Sequence, residues 1–285
     1  KGMVIMGFIS EFLADPRNVL IAFLLALPGR LFAISAHEYA HARAADKVGD
    51  PTARYLGRLT LNPLKHLDPV GTLMMLLVGF GWARPVPVNP RNFKGDFRKA
   101  DLKVSVAGVW MNFRLFLAGA VALYAIVGVA LAGLQTVSEV LAAFKSGIFL
   151  TTIDGAKALV VNDSYVRVRD LLTYVPYFGE FFIRPLWGDV PYYLFQMLSY
   201  FVQVNIVLAI FNLFPIPPLD GYHALNDLVL KRDLFDQRAP MIGNVVLIAL
   251  LVSGVLTSVL SFVIDKAFLA TGAAAGALFR LLGVL

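Results

Sequence analysis

Four apolar runs decide what this chain can fold into. They lie at roughly 18–42, 104–132, 191–214 and 240–264. Each is long enough to cross a bilayer, which takes about 20 mostly apolar residues in helical form. Hydrocarbon offers no water to backbone N–H and C=O groups, so spanning segments must satisfy them internally. The predicted fold is an all-α polytopic membrane protein with about four full transmembrane helices. Composition agrees: 58% of the 285 residues are hydrophobic, against about 45–50% in soluble domains.

A fifth apolar stretch, GTLMMLLVGFGWA at 71–83, reaches only about 20 Å as a helix, against a hydrocarbon core of about 30 Å. It lies between two basic loops, 43–67 with Arg43, Lys47, Arg54, Arg58 and Lys65, and 84–103 with Arg84, Arg91, Lys94, Arg98, Lys99 and Lys103. Basic loops stay on the cytoplasmic side. A full crossing would strand one of them outside, so the segment is expected to be re-entrant. The opening residues 3–16 and the Ala/Gly/Leu-rich stretch 267–285 are expected to be interfacial or partly inserted helices. The connection 133–190 is nearly charge-balanced and rich in aromatics, among them Tyr174, Tyr177, Phe178, Phe181, Phe182, Trp187, Tyr192 and Tyr193. It is expected to form an interfacial, extracytoplasmic insert. With no repeat and no soluble region of domain size, the chain is expected to be a single membrane-embedded domain over 1–285, with its core at about 18–230 and C-terminal helices over 240–285.

The formal charge of +6 is spread over loops and forms no basic face of the kind nucleic acid requires. The chain has no cysteine, which excludes disulfides and thiolate metal sites. Only His37, His41, His66 and His223 are available as imidazole ligands.

Two of these fall in HEYAH, residues 37–41, at the end of the first run. On a helix, His-Glu-x-x-His puts two imidazoles one turn apart on one face, where they can share a cation, and the glutamate between them can act on a metal-activated water. Ionisable groups at membrane depth are costly and functional by default. A catalytic zinc needs a third protein donor and an open position, and nothing just after His41 supplies one. FNLFPIPPLDGYH, residues 211–223, offers Asp220 at the end of another run. Pro215, Pro217 and Pro218 break the helix there and free backbone groups, and Gly221 permits a close backbone approach. Asp220 is the candidate third ligand, and Asn212 a candidate contact for substrate backbone. His223 and His66 are further candidates near the metal, the first as an additional ligand, the second beside the turn into the re-entrant segment.

These residues resemble the site-2 protease family of intramembrane zinc metalloproteases, in its compact bacterial-type branch without a PDZ domain. HEYAH is similar to the family's zinc motif. NLFPIPPLDG (212–221) resembles its second signature, and GVWMN (108–112) its Gly-x-x-x-Asn motif. The resemblance covers about 25–230. It implies a core of three helices around one zinc per chain, with His37, His41 and Asp220 as ligands and Glu38 as catalytic acid and base. Gly108, Asn112, Asn212, Pro215 and Pro217 would support the ligands or the substrate. The implied reaction is hydrolysis of peptide bonds in transmembrane or membrane-proximal segments, in the cell membrane and near its cytoplasmic side. Its partners would be a membrane-protein substrate and the lipid bilayer, with room for a homo-oligomer or a regulatory membrane partner and no role for nucleic acid. The chain departs from the pattern at Val109, where proline is common, at Arg114 within the spanning helix, and in the insert 133–190. The competing reading is a membrane metal-ion transporter using the same polar residues, although no inverted repeat is visible.

Overall fold

The computed structural model describes residues 13–78, 81–136, 148–153, 156–161, 164–167, 183–230 and 239–283. The expected helix at 3–16, up to residue 12, and the insert aromatics Tyr174 to Phe182 lie outside them.

The first helix, α1 (Pro16–Val48), starts where the Asp15 side chain accepts from the Asn18 N–H at 3.1 Å and Pro16 takes the first turn. It ends at Gly49, whose φ of 112° closes the helix in the left-handed region. Its buried face is made of small residues, Ala26, Ala33, Ser35, Ala36, Ala40, Ala42 and Ala45, which lets neighbouring helices come close. The helix α2 (Pro69–Val78) is a short arm of 10 residues. The chain then pairs back on itself: Leu67 and Ala83 form an antiparallel bridge, and the Arg84 N–H donates to the His66 carbonyl at 2.8 Å. The two ends of this segment therefore lie side by side, as a re-entrant segment requires. Gly71 and Gly81 permit it, since a Cβ on Gly81 would stand 2.1 Å from the Gly71 oxygen.

Helices α3 (Phe97–Thr136) and α4 (Asp189–Asn212) are the second and third spans. A short helix, α5 (Asp220–Leu225), follows the proline-rich turn. The last two are α6 (Ala239–Val252) and α7 (Val255–Leu281). Four helices, α1, α3, α4 and α7, are long and apolar enough to cross a membrane.

The fourth span is not where hydropathy put it. The apolar run 240–264 is cut at Ser253-Gly254, where Gly254 takes a φ of 75°. That leaves α6 with 14 residues, about 21 Å, and makes α7, which absorbs most of the stretch expected to be a surface or partly inserted helix, the one of the two long and apolar enough to cross. The insert contributes a three-stranded antiparallel meander, β1 (Ile148–Ile153), β2 (Ala156–Val161) and β3 (Ser164–Arg167), that the helical reading did not contain.

The chain groups into two compact units, one running up to Phe116 and adding Gln203–Phe262, the other made of Leu117–Val202 and Val263–Leu285. The first holds every metal-site candidate. In the second, α3, α4 and α7 pack through small-against-large contacts. Gly119 faces Val202 and Phe201, Gly128 faces the Phe279 ring, and Leu123, Val127, Phe195 and Phe268 are buried. The buried Tyr124 hydroxyl donates to the Phe268 carbonyl at 3.4 Å.

Candidate metal centre

HEYAH lies in the last third of α1, and helical spacing turns His37 and His41 to the same face. Their Nε2 atoms are 3.0 Å apart. Asp220, first residue of α5, brings Oδ2 to 3.3 Å from each. Among the described residues this is the one cluster of three metal-ligating side chains.

The tautomers follow from the other ring nitrogens. His41 Nδ1 faces the Val104 carbonyl at 2.8 Å, and a carbonyl can only accept, so Nδ1 carries the proton. His37 Nδ1 lies 2.6 Å from Asn112 Oδ1. The amide nitrogen of Asn112 donates to the Ala33 carbonyl at 3.1 Å and to Asn205 Oδ1 at 2.9 Å, which leaves Oδ1 as the acceptor for His37. With Nδ1 committed to an acceptor on each ring, the Nε2 atoms turn toward each other and toward a carboxylate oxygen, where metal ligands present their lone pairs. That oxygen, Asp220 Oδ2, is buried without a hydrogen bond. Three electron-rich atoms facing one point repel unless a cation lies between them. Donors about 2.0–2.1 Å from a tetrahedral zinc stand about 3.3 Å apart, so the observed triangle of 3.0, 3.3 and 3.3 Å fits that ion.

The supports come from packing. Val104, Gly108 and Asn112 recur every four residues on one face of α3, toward α1. Gly108 is there because nothing larger fits: a Cβ would stand 2.3 Å from His41 Nε2 and 2.5 Å from His37 Cε1. Asp220 is delivered by the turn after α4. A Cβ on Gly221 would lie 2.2 Å from the Leu213 carbonyl oxygen, so only glycine lets α5 start against the end of that helix. Pro217 is buried under α6, where a Cβ on Gly243 would meet its carbonyl at 1.9 Å, while Pro215 is exposed.

Glu38 is partly buried, and its Oε2 accepts the Val86 N–H at 2.8 Å. Val86 stands between two prolines, Pro85 and Pro87, in an extended strap. Its side chain is buried against Ala42 and Ala53. Arg58 holds the strap from the other side, its Nη2 donating to the Arg84 carbonyl at 2.7 Å and the Pro85 carbonyl at 3.3 Å. Further along, the buried Asp50 carboxylate accepts from the Asn89 N–H at 2.7 Å, Asn92 Nδ2 at 2.8 Å and the Thr52 N–H at 3.1 Å. Burial by itself would raise the Asp50 pKa. The donors from Asn92, Thr52 and Asn89 outweigh it and hold the carboxyl below its usual range.

Other candidates lie elsewhere. Asn212 donates to the Leu208 carbonyl at 2.9 Å within its own helix. His223 is exposed and packs edge-on against Tyr222. His66 is fully buried, with Nε2 2.7 Å from the Thr60 carbonyl. Neither histidine belongs to the metal cluster. Arg114 sets its guanidinium over the Trp110 ring at 5.1 Å, and Arg30 lies over Phe23 at 5.8 Å. Sequence reasoning missed Asn205, the Val104 carbonyl, the Val86 N–H and Arg58. An asparagine buried in a spanning helix was the one available signal, for Asn205.

A His-His-Asp cluster with a glutamate beside it, carried by helices long and apolar enough to cross a membrane, is the arrangement of a multi-pass membrane zinc metalloprotease. Comparison with known proteins agrees and narrows it. The chain belongs to peptidase family M50, whose sequence model matches residues 22–254. It is 36% identical over 220 residues to "Putative zinc metalloprotease YwhC" of Bacillus subtilis (strain 168), an alignment covering 77% of this chain and 74% of that one. It is also 32% identical over 78 residues to "Putative zinc metalloprotease Rip2" of Mycolicibacterium smegmatis (strain ATCC 700084 / mc(2)155), covering 27% and 30% of the two chains. No solved structure matches it.

Proposed function

We propose that the chain is an intramembrane endopeptidase of the site-2 protease type. It would hold one zinc through His37, His41 and Asp220 and cut transmembrane or membrane-proximal protein segments near the cytoplasmic side of the cell membrane, with all 285 residues working as one membrane-embedded domain. The observation that carries the reading is the triangle of inward lone pairs at 3.0–3.3 Å, with a glutamate one residue from the first ligand.

Zinc, when bound there, supplies Lewis acidity that polarises the scissile carbonyl and activates a water near neutral pH. Glu38 takes the proton of the attacking water and hands it to the leaving amine. The Val86 N–H fixes one carboxylate oxygen of Glu38 and leaves the other for that transfer. Asn112 and the Val104 carbonyl hold the imidazole tautomers that keep Nε2 facing inward. Gly108 keeps the space in front of them open. A helical substrate hides its carbonyls in hydrogen bonds, so it must unwind before attack. The proline-broken stretch from Asn212 through Pro215 and Pro217, and the re-entrant segment, offer backbone groups with which an unwound strand can pair.

The test is cleavage and metal content in one preparation. Glu38→Gln is expected to retain about one zinc per chain and to lose cleavage of a membrane substrate by several orders of magnitude. Undiminished cleavage would remove Glu38 from the mechanism. A transporter would instead move metal across sealed vesicles and tolerate the substitution.

A further inference from the structure

Behind the strap that touches Glu38 lies a cavity of about 480 Å³. Pro85 and Pro87 form part of its wall, so the cavity and the contact to Glu38 belong to the same three residues. Three cations, Arg58, Lys65 and Arg84, line it, and no acidic residue does. Lys65 and Arg84 are solvated, but Arg58 is only 8% exposed and its Nε is buried without a hydrogen-bond partner. Among the described residues it makes no ion pair. A guanidinium in that position is under-compensated. Burial and the adjacent Arg84 cation both lower its pKa, and Glu38 only partly offsets them. Leu56 and Leu64 supply aliphatic walls.

We infer that this cavity is a substrate subsite for an acidic side chain, so that preferred substrates carry Asp or Glu a few residues from the scissile bond. The inference rests on the peptidase reading of Glu38. A carboxylate placed there offsets the buried Arg58 charge and takes charge-assisted hydrogen bonds from the exposed Arg84 and Lys65, and the leucines accept the methylenes and the neighbouring apolar residue. The alternative occupant, an anionic lipid headgroup, would use the same cations but leaves the contact between the strap and Glu38 without a role in recognition.

The test uses fluorescent apolar transmembrane peptides in detergent micelles, each bearing a single Glu, Gln or Lys stepped along one flank. They are titrated onto the full-length Glu38→Gln protein. At one register Glu is expected to bind roughly tenfold more tightly than Gln, and Arg84→Glu combined with Lys65→Glu is expected to remove that preference. Equal binding of Glu and Gln at every register overturns the proposal, as does a Glu preference that survives Arg84→Glu combined with Lys65→Glu. A phosphatidylglycerol arm, with phosphatidylcholine as control, covers the lipid. Phosphatidylglycerol binding that is lost in Arg84→Glu while the peptides show no Glu preference would make the cavity a headgroup site and also overturn it. Because binding is read in Glu38→Gln, failure of the subsite shows as a missing Glu preference. Failure of the peptidase reading shows separately, as absent cleavage by the wild-type chain.

Discussion

Asn112 does more than its place in a five-residue motif suggests. It is fully buried and makes three hydrogen bonds, to His37, to the Ala33 carbonyl and to Asn205. Together these fix which of its ends faces the imidazole. Asn112→Ala leaves His37 free to rotate and to change tautomer, and is expected to weaken zinc binding by about 10–100-fold, measured by competition with a chelator of known affinity. An unchanged affinity would show that α1 alone orients the ring. Asp50 acts at a distance by tying the loop after α1 to the strap beside Glu38. Its pKa is lower in the folded protein than in the unfolded chain. The sign is therefore that of a stabilising carboxylate: the contribution is full above the unfolded value and is lost as pH falls through the folded one. Asp50→Asn is expected to cost about 2 kcal/mol at neutral pH. The gap between variant and wild type in thermal melting should close as the buffer is acidified below the ordinary carboxylate range. A gap independent of pH would mean that shape, not charge, holds the loop.

Helices and loops differ in how far the sequence announced them. HEYAH and NLFPIPPLDG were legible because their chemistry depends on local spacing: two imidazoles one turn apart, and an aspartate after a proline-broken stretch. That Asp220 closes the cluster is a tertiary fact; among 19 acidic residues it stood out because it follows the proline-broken end of an apolar run. The last span was misplaced because hydropathy averages over a break that one glycine makes. Apolar residues continue on both sides of Gly254, and its φ of 75° ends one helix before the next starts. The strap was unreadable for a different reason. Its function is a backbone N–H, and every non-proline residue has one, so only the fold shows that Val86 aims at Glu38. The short arm α2 was legible from the two basic loops that flank it. The chain has no native cysteine, so single cysteines label without background. Leu64→Cys and Lys94→Cys are both expected to react with a membrane-impermeant maleimide from the cytoplasmic side alone. Labelling from opposite sides would mean that the segment crosses the membrane.

Over the whole molecule, long apolar helices solve a chemical problem as well as a solubility one. On the proposed reading the peptide bond to be cut lies within the bilayer, out of reach of a surface enzyme, and the metal donors are carried to it on the long apolar helices. The small-residue face of α1 and Gly108 on α3 let those segments pack closely enough for a distant aspartate to complete the site. The helical turn after Leu219 brings Asp220 there. The most direct test of this account is zinc K-edge X-ray absorption on the purified wild-type protein. The expected spectrum has two imidazole nitrogens and oxygen donors at about 2.0–2.1 Å, with the imidazole scattering unchanged and zinc occupancy reduced in Asp220→Ala. A first shell with three or more imidazoles, or one indifferent to Asp220→Ala, would contradict it.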